Sequence, residues 1–166
     1  MSKKLKRKIG LFLINNLFSG THFFKVKRNL LKMSGISVGK DTKIVGPLHI
    51  GTVAELTIGD NSWVGTDLKI YGNGKVYIGN CCDIAPEVAF VTGSHEIETV
   101  GNRRAGKGVS YEIYVKDGCW IGCRCSISGN TVIERGCVIG ACSYVNKSLL
   151  ENHICYGVPA KPQRHI

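Results

Sequence analysis

Stepping through the chain six residues at a time from Val38 meets Ile44, Ile50 and Leu56. A shift of two restarts the count at Ile58, followed by Val64, Ile70 and Val76; a second shift gives Ile78, Ile84 and Phe90. The step returns as Val115, Ile121, Ile127, Ile133, Ile139 and Val145. All seventeen positions are aliphatic or Phe, and Gly follows at 39, 51, 59, 65, 79, 122 and 140. A period of six fits neither an amphipathic helix nor one long alternating strand. It fits a parallel β-helix, in which each hexapeptide supplies a short strand and a corner, three close a triangular coil, and coils stack at about 4.8 Å. The aliphatic residue points inward, and Gly suits a corner that has no room for a Cβ. Strands of an ordinary sandwich would not keep this step for so long.

Two residues before many of the aliphatics lies a second inward position where space is short. It holds Thr42, Ser62, Cys82, Cys119, Cys125, Thr131, Cys137 and Ser143. Four of the eight cysteines are therefore read as small buried core groups. Cys81–Cys82 and Cys123–Arg124–Cys125 lack the two C-x-x-C pairs of a structural zinc site, and no metal is expected. A reducing compartment suits the free thiols.

The net charge of +10 raises a nucleic-acid reading, which its placement opposes. Nine of the 22 Lys and Arg side chains lie in the first 32 residues, and no acid precedes Asp41. The other 13 nearly balance the 12 acids, so the body is close to neutral. No RNA- or DNA-reading motif accompanies the basic segment, and no nucleic-acid partner is expected. Residues 1–34 read as a basic, amphipathic helical arm. The apolar run Ile9–Ile14 is too short to span a bilayer, and no small-x-small cleavage site supports a signal peptide. Two readings of the arm stand together: a helix packed on the body with a solvated basic side, and an interfacial helix on anionic lipid. The location expected is cytoplasmic, with any membrane contact peripheral and at the inner face.

From Phe90 to Val115 the chain takes 25 residues where six would serve. A solenoid accepts insertions only at its corners, so residues 91–114 are expected to project as a loop. Long ordered loops are often functional. Residues 35–160 form the β-helical body around this loop, and 161–166 a tail.

Three segments carry a resemblance: "IGNCCDIAPEVAFVTGSHEI", "DGCWIGCRCSISGNTVIERGCVIGACSYVNKS" and "YGVPAKPQR". With them the chain resembles the hexapeptide-repeat acyltransferases from about Gly35 to Arg164. Within these it is most similar to the O-acetyltransferases of bacterial capsule and lipopolysaccharide sugars. The resemblance implies a left-handed β-helix, a homotrimer, and acetyl-CoA as co-substrate in the groove between adjacent subunits. It implies a sugar or polysaccharide acceptor, acetylated on a hydroxyl. His95 stands at the family's catalytic histidine. A sugar hydroxyl attacks a thioester slowly, and a neutral imidazole within hydrogen-bond reach takes its proton as the C–O bond forms. Backbone N–H groups would hold the oxyanion, without metal or acyl-enzyme. Glu96 is the adjacent candidate to orient the imidazole; Asp67 and Asp83 are read as corner residues. Cys123 and Ala141 match the pantetheine groove, followed by Asn146 and Lys147. Lys161 and Arg164 would face the nucleotide phosphates, as cations suit them. Trp120 is expected to pack at a coil edge, with a contact to the cofactor as the alternative. The asparagine that related galactoside enzymes turn to the acceptor is replaced here by Gly65, so the acceptor does not carry over. Arg103 and Arg104 would meet an acidic sugar, the cofactor phosphates or solvent. An antibiotic or amino-sugar N-acetyltransferase of this fold competes with the sugar reading, and a non-catalytic scaffold is the alternative of another class. A carbonic anhydrase of the fold needs three zinc-binding histidines, whereas His22, His49, His153 and His165 are scattered.

Overall fold

The structure, a computed structural model, describes residues 2–166. Its short strands each turn one residue inward and the next outward, and successive strands fall on three different sheets. The first sheet stacks Ser37–Val38, Glu55–Ile58, Lys75–Ile78, Glu112–Val115 and Thr131–Ile133. The second stacks Lys43–Ile44, Trp63–Val64, Asp83–Ile84, Trp120–Ile121, Val138–Ile139 and His153–Gly157. The third stacks Leu48–Ile50, Leu68–Tyr71, Ala89–Val91, Ser126–Ser128 and Tyr144–Val145. The chain visits first, second and third sheet in turn, which makes a left-handed parallel β-helix of about six turns.

Register places like on like. On the second sheet Ile44 pairs with Val64, Val64 with Ile84, Ile84 with Ile121 and Ile121 with Ile139. All seventeen periodic side chains are buried, and each contributes about 1.5–3 kcal/mol by leaving water. The small inward positions are buried too, and they do more than save space. Thr42 Oγ1 donates to the Gly59 carbonyl, Ser62 Oγ to Gly79, Cys82 Sγ to Lys116, Cys119 Sγ to Glu134 and Cys137 Sγ to Leu150. Each donor reaches the carbonyl of the following coil at the corner between first and second sheets, so a column of hydrogen bonds runs beside the aliphatic ladder.

Two helices close the end that begins at Ser37. Helix α1 (Lys3–Asn16) starts at Ser2, whose Oγ accepts from the Leu5 N–H at 3.3 Å. It turns Arg7, Gly10 and Ile14 inward, and α2 (Phe24–Met33) buries Lys27 and Leu31. The basic side expected to be solvated is only partly so. The Arg7 guanidinium donates to the carbonyls of Ser34, Gly51 and Ala54 at 3.2, 3.0 and 2.6 Å. Lys27 Nζ donates to Gly20 and Val45, and Arg28 to Thr42. These carbonyls are the groups that a helix end and an uncapped coil leave unpaired. Burial pushes the Arg7 and Lys27 pKa values down. At the other end Ala160–His165 folds back antiparallel on His153–Gly157, so much of the expected tail is an edge strand.

All departures from a six-residue step fall at one corner, between third and first sheets. The two-residue shifts are the turns after Ile50 and after Tyr71. The long excursion leaves from Val91 and returns at Glu112. It is a β-hairpin of Gly93–Ile97 against Ala105–Ser110 rather than an irregular loop.

Candidate active site

His95 sits in the first hairpin strand, opposite Gly108, with its side chain exposed. It lines a cavity of about 430 Å³ with Gly72, Asn73, Gly93, Ser94, Gly108, Val109 and Ser110. Gly72 belongs to the turn of the preceding coil and takes φ +94°, and a Cβ there would come within 2.5 Å of the Gly93 nitrogen. Glycine thus lets the hairpin rest on the coil below it. Glu96 occupies the irregular step of the hairpin register between His95 and Ile97 and is not among the lining residues. Arg103 and Arg104 lie near the exposed tip, where Arg104 donates to the Glu98 and Gly101 carbonyls.

Cys123 and Ala141 lie together at a different corner, between second and third sheets. They line an apolar groove of about 330 Å³ with Ala85, Trp120, Gly122, Val138, Ile139 and Gly140. Gly122 and Gly140 have no room for a side chain: added Cβ atoms would meet the Ala141 nitrogen at 2.6 Å and Tyr156 Cβ at 2.8 Å. A narrow slot with backbone at its edge and apolar walls suits a thin chain that alternates methylenes with amides. Lys161 and Arg164 project from the final strand, opposite Tyr156 and Ile154. That strand lies two steps beyond Val138–Ile139 on the second sheet, about 10 Å away. Asn146 and Lys147 are exposed and follow Tyr144–Val145, which puts them at the same corner as the hairpin.

One chain therefore sorts the candidates into two sets. His95, Asn146 and Lys147 belong to the corner between third and first sheets. Cys123, Ala141, Lys161 and Arg164 belong to the second sheet and its corner with the third. Roughly 15 Å of third-sheet strand lies between, and the two cavities share no residue.

Two lining residues, Trp63 and Asn73, carried no expectation from the sequence. Trp63, Asp83 and Trp120 stack outward on the second sheet, Trp63 pairing with Asp83 and Asp83 with Trp120. They line a cleft of about 550 Å³ with Ile84, Ala85 and Pro86, and it joins the groove through Ala85 and Trp120. Each immediately precedes an inward aliphatic, so the six-residue step carried this signal. Asp83 is the first residue of the two-residue strand Asp83–Ile84, just past a corner, and Trp120 is 56% exposed rather than packed away. Asp67 does occupy a corner, with φ +58°, and the His49 hydrogen bond at 3.0 Å holds its carboxyl below the usual range. Asn73 comes from one of the two-residue shifts at the hairpin's own corner.

Burial raises the Cys82 and Cys125 thiol pKa values, which keeps both protonated as donors. Cys81, Cys123 and Cys142 are exposed.

Residues 112–147 match the model of the bacterial transferase hexapeptide (six repeats). The putative colanic acid biosynthesis acetyltransferase WcaF of Escherichia coli is 32% identical over 134 residues, which is 79% of this chain and 70% of the relative. Galactoside O-acetyltransferase of Escherichia coli is 30% identical over 155 residues, 90% of this chain and 74% of that one. A galactoside acetyltransferase solved in complex with coenzyme A superposes with a TM-score of 0.82 at 26% identity, over 98% of this chain and 80% of the other. A hexapeptide-repeat acetyltransferase from Vibrio cholerae shares the fold, with a TM-score of 0.81 at 22% identity over 98% and 90%. Periodicity, architecture and relatives agree: the chain belongs to the hexapeptide-repeat acetyltransferase family.

Proposed function

We propose that this acetyl-CoA-dependent O-acetyltransferase moves an acetyl group to a sugar hydroxyl of a cell-surface polysaccharide or its precursor, directly, with His95 as general base. The observation that carries the reading is the division of the candidate residues between two corners of one prism. A catalytic imidazole beside a polar cavity and an apolar slot beside two cations cannot meet within one chain. They meet if the corner bearing the hairpin of one copy faces the grooved corner of the next, and a cyclic homotrimer closes that head-to-tail arrangement. The pantetheine arm would then lie along Cys123 and Ala141, its phosphates toward Lys161 and Arg164. Asn146 and Lys147 of the neighbouring copy would flank it. The Trp63–Asp83–Trp120 cleft continues the slot and offers ring faces and a carboxylate, which suit a sugar's C–H edges and hydroxyls.

In the reaction the acceptor hydroxyl forms a C–O bond to the acetyl carbon while its proton passes to the His95 imidazole. The C–S bond then breaks, and the thiolate of coenzyme A takes that proton and leaves as the thiol. The WcaF relative, described as acting in colanic acid biosynthesis, supports a polysaccharide acceptor, and the galactoside enzymes support a sugar hydroxyl.

The test is thiol release from acetyl-CoA with a panel of sugars, amino sugars and aminoglycoside antibiotics. The wild type should release thiol with sugar hydroxyl acceptors. His95→Ala should lower that transfer on the order of 10²- to 10⁴-fold and still bind coenzyme A. Undiminished transfer would remove His95 from its role, and activity confined to amines would overturn the O-acetyl reading.

A further inference from the structure

The N-terminal cap exposes an apolar stripe that the body does not use. On α1 the buried residues Arg7, Gly10 and Ile14 mark the inner face. Leu5, Ile9 and Phe12, spaced i, i+4, i+7, run along the opposite face and are 48, 42 and 62% exposed. At 100° per residue, Lys6 borders this stripe on one side and Lys4 and Lys8 on the other. Leu17, just past the helix, and Val26 and Met33 on α2 are exposed as well. Soluble surfaces rarely gather large apolar groups in this way without a partner.

The chemistry of that partner follows from charge. The cap holds no acid, since none precedes Asp41, and its exposed lysines include Lys3, Lys4, Lys6 and Lys8. A second copy of the same face would be repelled. A neutral apolar surface would leave the lysines idle. An anionic phospholipid layer meets both features: the three apolar side chains enter the acyl boundary, and the lysine stems lie along it with their ammonium groups at the headgroups. No described helix is long and apolar enough to cross a bilayer, so the association would be peripheral.

We infer that the outer face of α1 docks the protein on anionic membrane, with Leu5, Ile9 and Phe12 inserted and Lys4, Lys6 and Lys8 at the headgroups. The inference is independent of the role of His95, because lipid binding is read without turnover.

The experiment is co-sedimentation of the full chain with vesicles of phosphatidylcholine alone or mixed with phosphatidylglycerol, across a range of salt. Two variants accompany it, Leu5→Ser/Ile9→Ser/Phe12→Ser and Lys4→Gln/Lys6→Gln/Lys8→Gln. All six positions are exposed, so thermal unfolding of both variants should match the wild type. The wild type should bind the mixed vesicles and release them as salt rises. The lysine variant should partition on the order of 100-fold less, at about fivefold per charge for three charges. The apolar variant should lose binding by at least about tenfold. Equal binding to both vesicle types, or no effect of either variant, overturns the inference. So does a wild type that shuns vesicles, including one that self-associates through this face in sedimentation velocity.

Discussion

Cys82 shows how a single side chain serves two ends in this core. It is small enough for the inward position near the corner, and its thiol donates to the Lys116 carbonyl at 3.2 Å. Ser62 stands one coil below and makes the same bond to Gly79 at 3.0 Å. Cys82→Ser should therefore stay within about 1 kcal/mol of the wild type, because size and donor both survive. Cys82→Ala removes the donor and leaves a buried carbonyl short of a partner, at a cost of about 1–3 kcal/mol. Chemical denaturation of the two variants checks the order, and equal stabilities would show that the donor is idle. The inward position itself was legible in the sequence because periodicity reports which way a residue points. The bond was not, because residue type gives size but not what lies opposite. Arg7 is the sharper case. Amid nine basic residues nothing marked it out, yet it alone reaches three backbone carbonyls between cap and body.

At the scale of elements, the corner between third and first sheets absorbs every irregularity of the repeat. The two-residue shifts and the hairpin stack there, which is how Asn73 comes to lie beside His95. Gly72 holds this arrangement, with φ +94° and the Gly93 backbone against its Cα. Gly72→Ala should push the hairpin outward and lower acetyl transfer by about tenfold or more, while coenzyme A binding at the other corner is unchanged. Steady-state kinetics with a coenzyme A titration checks this; unaltered transfer would mean that the hairpin does not depend on its seat. The site of the insertion was plain in the sequence, since the six-residue step fails there. Its hairpin character was not. "GSHEI" and "AGKGVS" are rich in Gly and bury no face, so no alternation marks them as strands.

For the whole molecule, the proposed function makes activity a property of an assembly, since it draws its two sets of site residues from neighbouring copies. Co-expression of His95→Ala with Ala141→Trp, which fills the groove, tests this directly. Each variant alone should be nearly inactive. In randomly mixed trimers a site works when its imidazole and its groove come from different variants, so about a quarter of sites should recover. No recovery in mixed assemblies would place both groups in one subunit. The β-helix was legible from spacing, and the motif singled out Cys123 and Ala141, which lie together on one groove. That the candidates occupy separate corners was not legible, because sequence distance says nothing about which side of a prism a turn occupies.

The helical cap also has a consequence for the length of the column. Coils join through backbone pairing and the same inward contacts at every step, and a coil carries no built-in instruction to stop. The first strands, Ser37–Val38, Lys43–Ile44 and Leu48–Ile50, would offer a ready edge to another copy's terminal coil. With α2 seated over the first two and α1 over the third, that template is hidden. The two helices thus set the particle's size, turning a repeat able to grow as a fibre into a discrete object.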